Sequence, residues 1–340
     1  MTTSRNRWLR RAACAIIFLY TVLITGWYVA YKLIGDGFWL LALLNAFAVY
    51  LFAPLPLVTL LTVLSRRRAN WISLLAVILM FLGLFGSELT PPLPVAQAGT
   101  EFPSLTVMTY NILYTVADAA PAAANIMGAS PDLIAFQELT PLLARQLEGE
   151  IGDIYPYRTP LHLDDCFAEV AIWSRYPLQV EGVDEDLLCR VRPAVIDFNG
   201  RPVRVVSVHA WPFTGLDREK VERSFRWRQE QIELILDTVA GQPEPLILSG
   251  DFNSTPTHEV YHKLSTHLKD AFREAGWGFG HTFPATGGRA WGILYPDRLV
   301  RIDHIFHSDD WGAEAARVGD WDGASDHHPV IARLRLRQRD

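Results

Sequence analysis

Three apolar runs near the N-terminus constrain this chain more than any other feature of its sequence. They cover Ala12–Ala30, Phe38–Leu64 and Trp71–Phe85. A bilayer core needs about 20 mostly apolar residues in a helix. The first two runs are long enough, and the third continues to Leu89 with Glu88 as its only charged residue. We therefore predict a membrane anchor of three transmembrane helices within residues 1–89.

A signal peptide and a buried soluble domain are the alternatives to this anchor. The first run follows basic residues, as in a signal peptide, but no A-x-A-like cleavage site follows it and two more apolar runs do. Soluble helical cores rarely contain such runs separated by charge-dense loops. The second run contains Pro54 and Pro56, which we expect to kink a membrane helix without ending it.

The distribution of basic residues predicts the orientation of the anchor. Four Arg between Arg5 and Arg11 precede the first run, and Arg66–Arg68 separate the second run from the third. Because basic loops remain in the cytoplasm, we expect the N-terminus and the Arg66–Arg68 loop to be cytoplasmic. Three crossings then place the C-terminal body outside. Residues 90–103 contain several Pro and are expected to form a stiff linker.

The body has the opposite charge to the anchor. Residues 1–97 contain eight Lys or Arg and two acidic residues, a net charge of +6, and the whole chain carries −6. The remainder therefore carries −12. Affinity for a nucleic-acid backbone comes from Lys and Arg. The acidic body thus disfavours a nucleic-acid partner, although a local basic groove stays open as an alternative.

The body alternates short apolar runs with a helical pattern. Val221, Phe225, Ile232, Leu236 and Val239 recur at a helical period, after Asp217 and before Gly241. The strand-like runs are Leu105–Thr109, Asp132–Phe136, Val170–Trp173, Val203–Val208, Leu246–Leu248, Ile302–Phe306 and Val330–Leu334. This mixture predicts a layered α/β body over residues 104–340.

Polar side chains with ligand chemistry follow several of these strands. They are Asn111, Glu138, His209, Asp251, Asn253, Asp303, Asp326 and His327. Singly, each could cap a turn or begin a helix, but eight together indicate a site at a sheet rim. Carboxylates and an amide without thiolates favour Mg²⁺ or Mn²⁺, with Ca²⁺ as an alternative. Histidines add proton transfer, so the set suits attack of water on a phosphate ester.

Six segments carry a resemblance to a known superfamily. They are Thr109–Ile112, Phe136–Glu138, the strand running to His209, Ser249–Ser254, Ile302–Ile305 and Ser325–Pro329. In this order they resemble the endonuclease/exonuclease/phosphatase superfamily, which includes DNase I-like nucleases, sphingomyelinase-type phosphodiesterases and inositol-phosphate phosphatases. The resemblance covers nearly the whole body and none of residues 1–97. It implies a DNase I-like fold, a four-layer α/β/β/α sandwich with the site at one rim.

The same resemblance implies a metal site. Carried over by position, Glu138 is the main metal ligand, Asn111 lies beside the metal and the phosphate, and Asp326 lies near the metal. The superfamily shares its chemistry but not its substrates, so the resemblance leaves the substrate open.

It also implies the catalytic residues. Asp251 would orient or deprotonate the attacking water, and Asn253 would hold a phosphate oxygen. His209 and His327 would stabilise the developing charge or protonate the leaving oxygen, in a division that stays open. Asp303 would pair with His327 and fix its tautomer.

Four other positions lead to separate expectations. His304 follows Asp303 in a strand, so it points to the opposite face and is expected to be structural. His281 lies on a loop that could touch substrate. Ala210–Phe213, directly after His209, is either a substrate-gating or lipid-facing loop or a packed turn. Cys166 and Cys189 are two thiols or a disulfide, and because the body is expected in an oxidising exterior, we predict that they lie close enough to pair.

Three functions are therefore in competition. The first is extracytoplasmic, metal-dependent hydrolysis of a lipid headgroup or a small phosphate ester. The second is an extracytoplasmic nuclease with the same residues, and the third is an inactive membrane-tethered binding module. The complete residue set disfavours the third, and the acidic body disfavours the second. The expected partners are the lipid bilayer and a phosphate-ester substrate, and no protein partner is predicted.

Overall fold

The computed structural model describes residues 2–92, 103–161, 166, 168–213, 215, 217–290 and 292–337. The chain divides into two units, Met1–Thr90 and Pro91–Asp340. The predicted linker at 90–103 lies mostly outside the described residues, so its extent stays a prediction.

All regular elements of the first unit are helices in its described part. Its helices are α1 (Thr2–Ile34), α2 (Trp39–Ala46), a 3₁₀ helix (Ala48–Phe52), α3 (Leu55–Ser65) and α4 (Arg68–Leu89). Three stretches are long and apolar enough to cross a membrane: Arg7–Ile34, Ala48–Ser65 and Arg68–Leu89. Ile17, Val58 and Leu74 pack together in the interior. Large apolar side chains such as Phe18 and Ile72 are exposed on the outside, which suits contact with lipid.

The second apolar run differs from the single kinked helix predicted for Phe38–Leu64. It begins with the separate helix α2, and the stretch long enough to cross a membrane begins only at Ala48. The chain leaves regular helix again at Ala53 and Pro54 before α3. Pro54 and Pro56 lack an amide hydrogen, so the backbone near them cannot continue one uninterrupted hydrogen-bond ladder. The two prolines thus contribute to a break rather than a kink.

The described residues of the second unit form two six-stranded sheets. The first has the order β13-β14-β1-β2-β4-β3 and the second β5-β6-β7-β8-β12-β9, with a separate hairpin β10-β11. The strands are β1 (Ser104–Asn111), β2 (Leu133–Leu139), β3 (Tyr157–Arg158), β4 (Glu169–Ser174), β5 (Leu178–Val180), β6 (Val191–Phe198), β7 (Arg201–His209), β8 (Leu246–Asp251), β9 (Lys269–Asp270), β10 (Gly288–Ala290), β11 (Ile293–Tyr295), β12 (Asp303–His307), β13 (Trp311–Val318) and β14 (Val330–Leu336).

Helices cover the outer faces of both sheets. They are α5 (Ala120–Ala129), α6 (Pro141–Ile151), α7 (Arg218–Val239) and α8 (Glu259–His267), and a 3₁₀ turn lies at Glu185–Leu187. The short helix α9 (Ala271–Ala275) packs instead against the apolar cluster between the sheets. Helix α7 matches the predicted periodic helix, and the Asp217 side chain caps it by accepting from the Lys220 amide at 3.1 Å.

Strand alternation separates three apolar clusters. Val107 of β1 and Val205 of β7 meet between the sheets, whereas Met108, the next residue of β1, packs outward with α5 and α6. Residues of α7 and α8 pack on the outer face of the second sheet. Side chains that alternate along a strand point to opposite faces, so each sheet buries both faces. The predicted α/β/β/α sandwich is therefore confirmed.

Candidate active site

One row of the second sheet carries three of the predicted site residues. In the strand register His209 of β7 is paired with Asp251 of β8, and Asp251 is paired with Asp303 of β12. Neighbouring strands lie about 4.8 Å apart, so the three residues stand side by side where these strands meet the rim. Strand register thus brings together residues that are almost a hundred positions apart in sequence.

The first sheet contributes Asn111 and Glu138 to the same rim. Asn111 Nδ2 donates to Glu138 Oε1 and to Asp251 Oδ2, at 3.1 Å in each case. Glu138 Oε2 accepts from the backbone amide of Tyr114 at 3.0 Å. His209 Nε2 is 3.7 Å from Glu138 Oε1 and 3.8 Å from Asp251 Oδ2. Asn111 therefore links carboxylates from the two sheets.

An irregular backbone brings Glu138 to this position. Its φ is 57°, in the left-handed region that L residues rarely adopt, and the pairing of β2 with β4 is interrupted between Phe136 and Leu139. In a regular strand Gln137 and Glu138 would point to opposite faces. Gln137 points between the sheets, where Nε2 donates to Ser207 Oγ at 3.2 Å. The local turn lets the Glu138 carboxylate reach the rim as well.

A third segment, the loop before β14, contributes His327. Its Nδ1 is 2.9 Å from Asp303 Oδ2, an oxygen that also accepts from Thr282 Oγ1 at 2.5 Å. Because Nδ1 donates to a carboxylate, Nε2 is the nitrogen that faces the site, 3.8 Å from Asp251 Oδ2. The predicted pairing of Asp303 with His327 is present, and its geometry fixes the orientation of the ring.

The remaining predicted residues, Asp326 and Asn253, occupy the edge of the cluster. Ser325 Oγ donates to the carbonyl of Asn111 at 2.7 Å and so ties their loop to β1. The side chain of Asp326 is 44% exposed, and its Oδ1 is 3.9 Å from His327 Nε2. Asn253 Nδ2 donates to the carbonyl of Ala210 at 3.0 Å, which leaves its second N–H as the group that could reach a ligand.

Charge is unevenly compensated in this cluster. Burial, reinforced by Asp303, raises the pKa of Asp251 to about 7. Burial would lower the pKa of His327, but Asp303 and Asp251 outweigh it and raise that pKa to about 10. Burial, with Arg190 and His327, lowers the pKa of His209 to about 3. At neutral pH His327 is therefore a cation and His209 a neutral imidazole.

Arg190 is a residue of this site that the sequence analysis missed. Burial lowers the pKa of its guanidinium, while Glu138 and Asp251 act in the opposite direction, which places it in their field. Its guanidinium lies 3.9 Å from the centroid of the Trp211 ring. No motif contains Arg190. The only signal was an Arg directly before a strand that pairs with the strand ending at His209.

Three expectations about other positions have outcomes. Cys166 and Cys189 form a disulfide with Cα atoms 5.7 Å apart, so the predicted pairing is confirmed. His304 points away from the site and its Nε2 lies 2.9 Å from the carbonyl of Ser254, in agreement with a structural role. Trp211 packs on Trp227 with ring centroids 4.7 Å apart, which favours the packed turn.

The expectation that His281 touches substrate is not tested by the structure. His281 Nδ1 lies 2.7 Å from the carbonyl of Arg298. That bond holds the ring against the backbone of Arg298, and the role of His281 toward substrate stays a prediction.

The donor set fits a hard divalent cation. Two carboxylates, Glu138 and Asp251, share the single amide nitrogen of Asn111. Oδ1 of Asp303 and Oδ1 of Asp326 are buried without a hydrogen-bond partner among the described residues. Buried anionic oxygens in this state are costly unless a cation or donor approaches them, and oxygen ligands without thiolates are those that Mg²⁺ and Mn²⁺ prefer.

A second group of atoms also has ligand spacing. One ligand atom each from Asp251, Asp303 and His327 lies within 4.8 Å of the others. His327, however, donates Nδ1 to Asp303 and is protonated at neutral pH, and a protonated imidazole has no lone pair for a metal. A cation bound by this group would therefore have to displace that proton before the imidazole could serve as a ligand.

The fold and the site together define a class of protein. A two-sheet α/β sandwich that gathers carboxylate, amide and imidazole side chains at one rim is a DNase I-like structure. The model of the Endonuclease/Exonuclease/phosphatase family matches residues 108–327, and the chain belongs to this family. Members of the family are generally metal-dependent hydrolases of phosphoesters. No curated protein matches the chain.

Solved structures agree with this fold. The endonuclease/exonuclease/phosphatase from Beutenbergia cavernae is 24% identical, with 68% of this chain and 72% of that chain covered and a TM-score of 0.50. The corresponding Bacteroides vulgatus protein is 18% identical over 69% and 100%, with a TM-score of 0.52. D. rerio TDP2, complexed with single strand DNA product, is 15% identical over 68% and 98%, with a TM-score of 0.53. At these identities the likeness concerns the fold.

Proposed function

We propose that this chain is a membrane-anchored hydrolase of phosphate esters that depends on a divalent cation and whose catalytic domain is extracytoplasmic. The observation that carries the proposal is the meeting of Asn111 and Glu138 from one sheet with His209 and Asp251 from the other. These side chains leave anionic oxygens in excess at the rim, which is where a cation and a phosphate are needed together.

The carboxylate of Glu138 and the amide of Asn111 would hold the cation, with Asp326 at its edge. The cation would supply Lewis-acid polarisation of a phosphoryl oxygen and neutralise charge that develops in the transition state. Mg²⁺ is our first choice, followed by Mn²⁺ and then Ca²⁺, because the donors are oxygens of acidic and amide side chains.

The other side chains divide the proton chemistry between them. Asp251 would orient and deprotonate the attacking water, because it is a buried base next to both imidazoles. Protonated His327, held by Asp303, would stabilise negative charge on the phosphoryl group and give a proton to the leaving oxygen. Neutral His209 would donate one hydrogen bond to a phosphoryl oxygen. The free N–H of Asn253 would bind another.

A phosphate ester of a lipid headgroup or a small molecule is the substrate class that we favour. The anchor keeps the domain near a bilayer, and the net charge of −12 on the body disfavours long polyanions. Single strand DNA in the TDP2 structure keeps a nuclease as the second candidate. The two candidates use the same residues, so only the substrate distinguishes them.

A hydrolysis panel tests the activity. The full chain in detergent would be offered bis-aryl phosphate, sphingomyelin, phosphatidylinositol phosphates, RNA and plasmid DNA, each with Mg²⁺, Mn²⁺ or Ca²⁺ and with a chelator. We expect metal-dependent release from a lipid or small ester and slow cleavage of DNA. Rapid, salt-sensitive DNA cleavage would favour the nuclease instead, and no turnover of any ester would contradict the proposal.

Reporter fusions test the orientation. The Arg5–Arg11 and Arg66–Arg68 clusters motivate a cytoplasmic N-terminus, three crossings and an external C-terminus. A reporter inserted at residue 67 and one fused to the C-terminus should report opposite sides of the membrane. The same side for both fusions would contradict three crossings.

A further inference from the structure

The segment that carries Arg190 is tied to a second segment by two cross-links. Cys189 forms the disulfide with Cys166. Three residues further along each segment, Arg192 forms an ion pair of 2.9 Å with Glu169, and both side chains are only 2% exposed. Arg190 lies between the covalent and the ionic cross-link. Its backbone is therefore held from both sides just before β6 begins.

The backbone of Arg190 is also directly attached to the strand that ends at His209. The carbonyl of Arg190 accepts a hydrogen bond from the amide of His209 at 2.8 Å, and its amide donates to the carbonyl of Leu187 at 2.8 Å. A displacement of residues 189–192 would therefore move Arg190 relative to His209, Asp251 and Asp303.

The guanidinium of Arg190 is positioned but not neutralised. The flat face lies over the ring of Trp211, and Arg190 forms no ion pair in the part of the chain that the structure describes. Its Nη1 is buried and has no hydrogen-bond partner there. A guanidinium offers several N–H donors in a fixed fork that matches two oxygens of a phosphate. An anionic ligand held near Glu138 and Asp251 would supply the hydrogen-bond acceptor that the buried Nη1 lacks.

We propose that Arg190 binds non-bridging oxygens of the substrate phosphate, and that the Cys166–Cys189 disulfide positions it, so that full activity requires an oxidising environment. The inference rests on the proposed phosphoesterase function. It adds a specificity-determining side chain from outside the predicted motifs and a covalent cross-link that supports it. The ligand recognised by Arg190 is the phosphoryl group itself, so inorganic phosphate is a suitable probe.

Variants of Arg190 test the first half of the proposal. Arg190→Met in the full chain, in detergent with Mg²⁺, should lower kcat/KM on bis-aryl phosphate by about 10- to 100-fold, the range for one lost hydrogen bond to a charged group. Inhibition by inorganic phosphate should weaken by a similar factor. Arg190→Lys should recover part of the loss, because it restores the charge but not the planar fork.

A matched control is available at another stacked arginine. The guanidinium of Arg158 lies 5.1 Å from the centroid of the Trp173 ring, and it pairs with Glu148 at 2.8 Å. Arg158→Met removes the same stacked group away from the site, so it should leave kcat/KM and phosphate inhibition within about twofold of wild type. Calorimetric titration of inorganic phosphate gives a readout that does not require turnover.

Removal of the disulfide in two backgrounds tests the second half. The Cys166→Ser, Cys189→Ser double variant should lower kcat/KM, at most by the roughly 10- to 100-fold expected for Arg190→Met, because a displaced group near the chemistry has an effect of that size. An unchanged kcat/KM would overturn the positioning role of the disulfide. In an Arg190→Met background the same double substitution should change kcat/KM less than about twofold, since the side chain that it positions is already absent. Thermal unfolding of each variant identifies assay temperatures at which all are folded.

The outcomes separate this inference from the proposed function. If wild type hydrolyses the ester and Arg190→Met matches it in kcat/KM and phosphate inhibition, the inference is overturned and the function stands. If loss of the disulfide lowers kcat/KM equally in both backgrounds, the cross-link supports the fold and not Arg190. If wild type turns over no ester, the proposed function fails, and calorimetric phosphate binding that disappears in Arg190→Met still supports the anion site.

Discussion

Asp303 and His304 are neighbours on β12, and each belongs to a different cluster of buried ionisable side chains. Asp303 faces the rim with His327. His304 faces the other way, near Asp270, Arg301 and Tyr261. In the second cluster Asp270 Oδ2 accepts from Arg301 Nη1 at 2.6 Å and from Tyr261 Oη at 2.7 Å. Its Oδ1 accepts from a backbone amide at 2.9 Å.

The two buried aspartates respond oppositely to their surroundings. Burial raises the pKa of Asp251 to about 7, with Asp303 adding to the rise. Burial also acts to raise the pKa of Asp270, but Arg301 and His304 outweigh it and hold that pKa below its usual range. The negative charge of Asp270 is balanced by a neighbouring cation, which is typical of a structural ion pair. The negative charge around Asp251 is balanced only in part, which is typical of a site that binds a ligand. The comparison predicts that substitutions in the two clusters will have different consequences.

Asp251→Asn should give the largest effect on activity and little loss of stability. Removal of a general base typically costs about 10²–10⁴ in rate. Because the pKa of Asp251 is raised in the folded state, its ionised form opposes folding above that pKa in the metal-free protein. The variant should therefore be at least as stable as wild type at neutral pH without metal. Single-turnover rates and urea unfolding of the full chain in detergent measure both quantities.

Asp270→Asn should show the reverse pattern. It leaves Arg301 buried without its anion, and breaking a buried pair costs about 3–5 kcal/mol. Molecules that remain folded should keep a near-normal rate, because the described side-chain partners of Asp270 are Arg301, Tyr261 and His304, on the other side of β12. Asp309→Asn is the control: Asp309 pairs with Lys269 but is 87% exposed, so its loss should change stability by less than about 1 kcal/mol. A rate loss without destabilisation in Asp270→Asn would erase the distinction between the clusters.

Metal should stabilise the protein through the rim cluster alone. A cation at about 100 times its Kd raises the free energy of unfolding by about 2.7 kcal/mol. Glu138→Gln keeps the shape but removes the charge, so Mg²⁺ should no longer stabilise this variant. In the Asp270→Asn protein Mg²⁺ should still raise the free energy of unfolding by the same amount. Unfolding with and without Mg²⁺ tests this, and a wild-type increment and metal requirement in Glu138→Gln would contradict the assignment of the metal ligand.

Much of this contrast could be predicted from the sequence because it follows from short-range rules. Strand alternation separates Asp303 from His304, and the cap at Asp217 and the period of α7 are local patterns. Ligand-type residues at strand ends meet because strands of a sheet end at common rims. For these residues position along a strand is enough to predict position in space.

Other parts of the site depend on contacts between distant segments, and sequence patterns do not contain them. Arg190 acquires its environment from Trp211, Glu138 and Asp251, which are all distant from it in the sequence. The hydrogen bond from Thr282 to Asp303 joins a loop to a strand. The left-handed backbone at Glu138 occurs at a residue type that does not favour it, so no local rule predicts the turn.

Asp303→Asn should give a smaller effect on rate than Asp251→Asn and a characteristic change in pH dependence. The raised pKa of His327 keeps the imidazole protonated up to about pH 10, and Asp303 is the first of the charges that raise it against burial. Without that charge the pKa of His327 falls, so the protonated form is lost at a lower pH. The rate at neutral pH should fall by about tenfold, because the ring loses a hydrogen bond to a charged group that orients it. The alkaline limb of kcat/KM should move to lower pH.

In the Asp270→Asn protein the alkaline limb should stay in place, because Asp270 lies on the other side of β12. An unchanged alkaline limb in Asp303→Asn, measured from about pH 6 to about pH 11 with Mg²⁺ held constant, would show that Asp303 only orients the ring and does not set its charge.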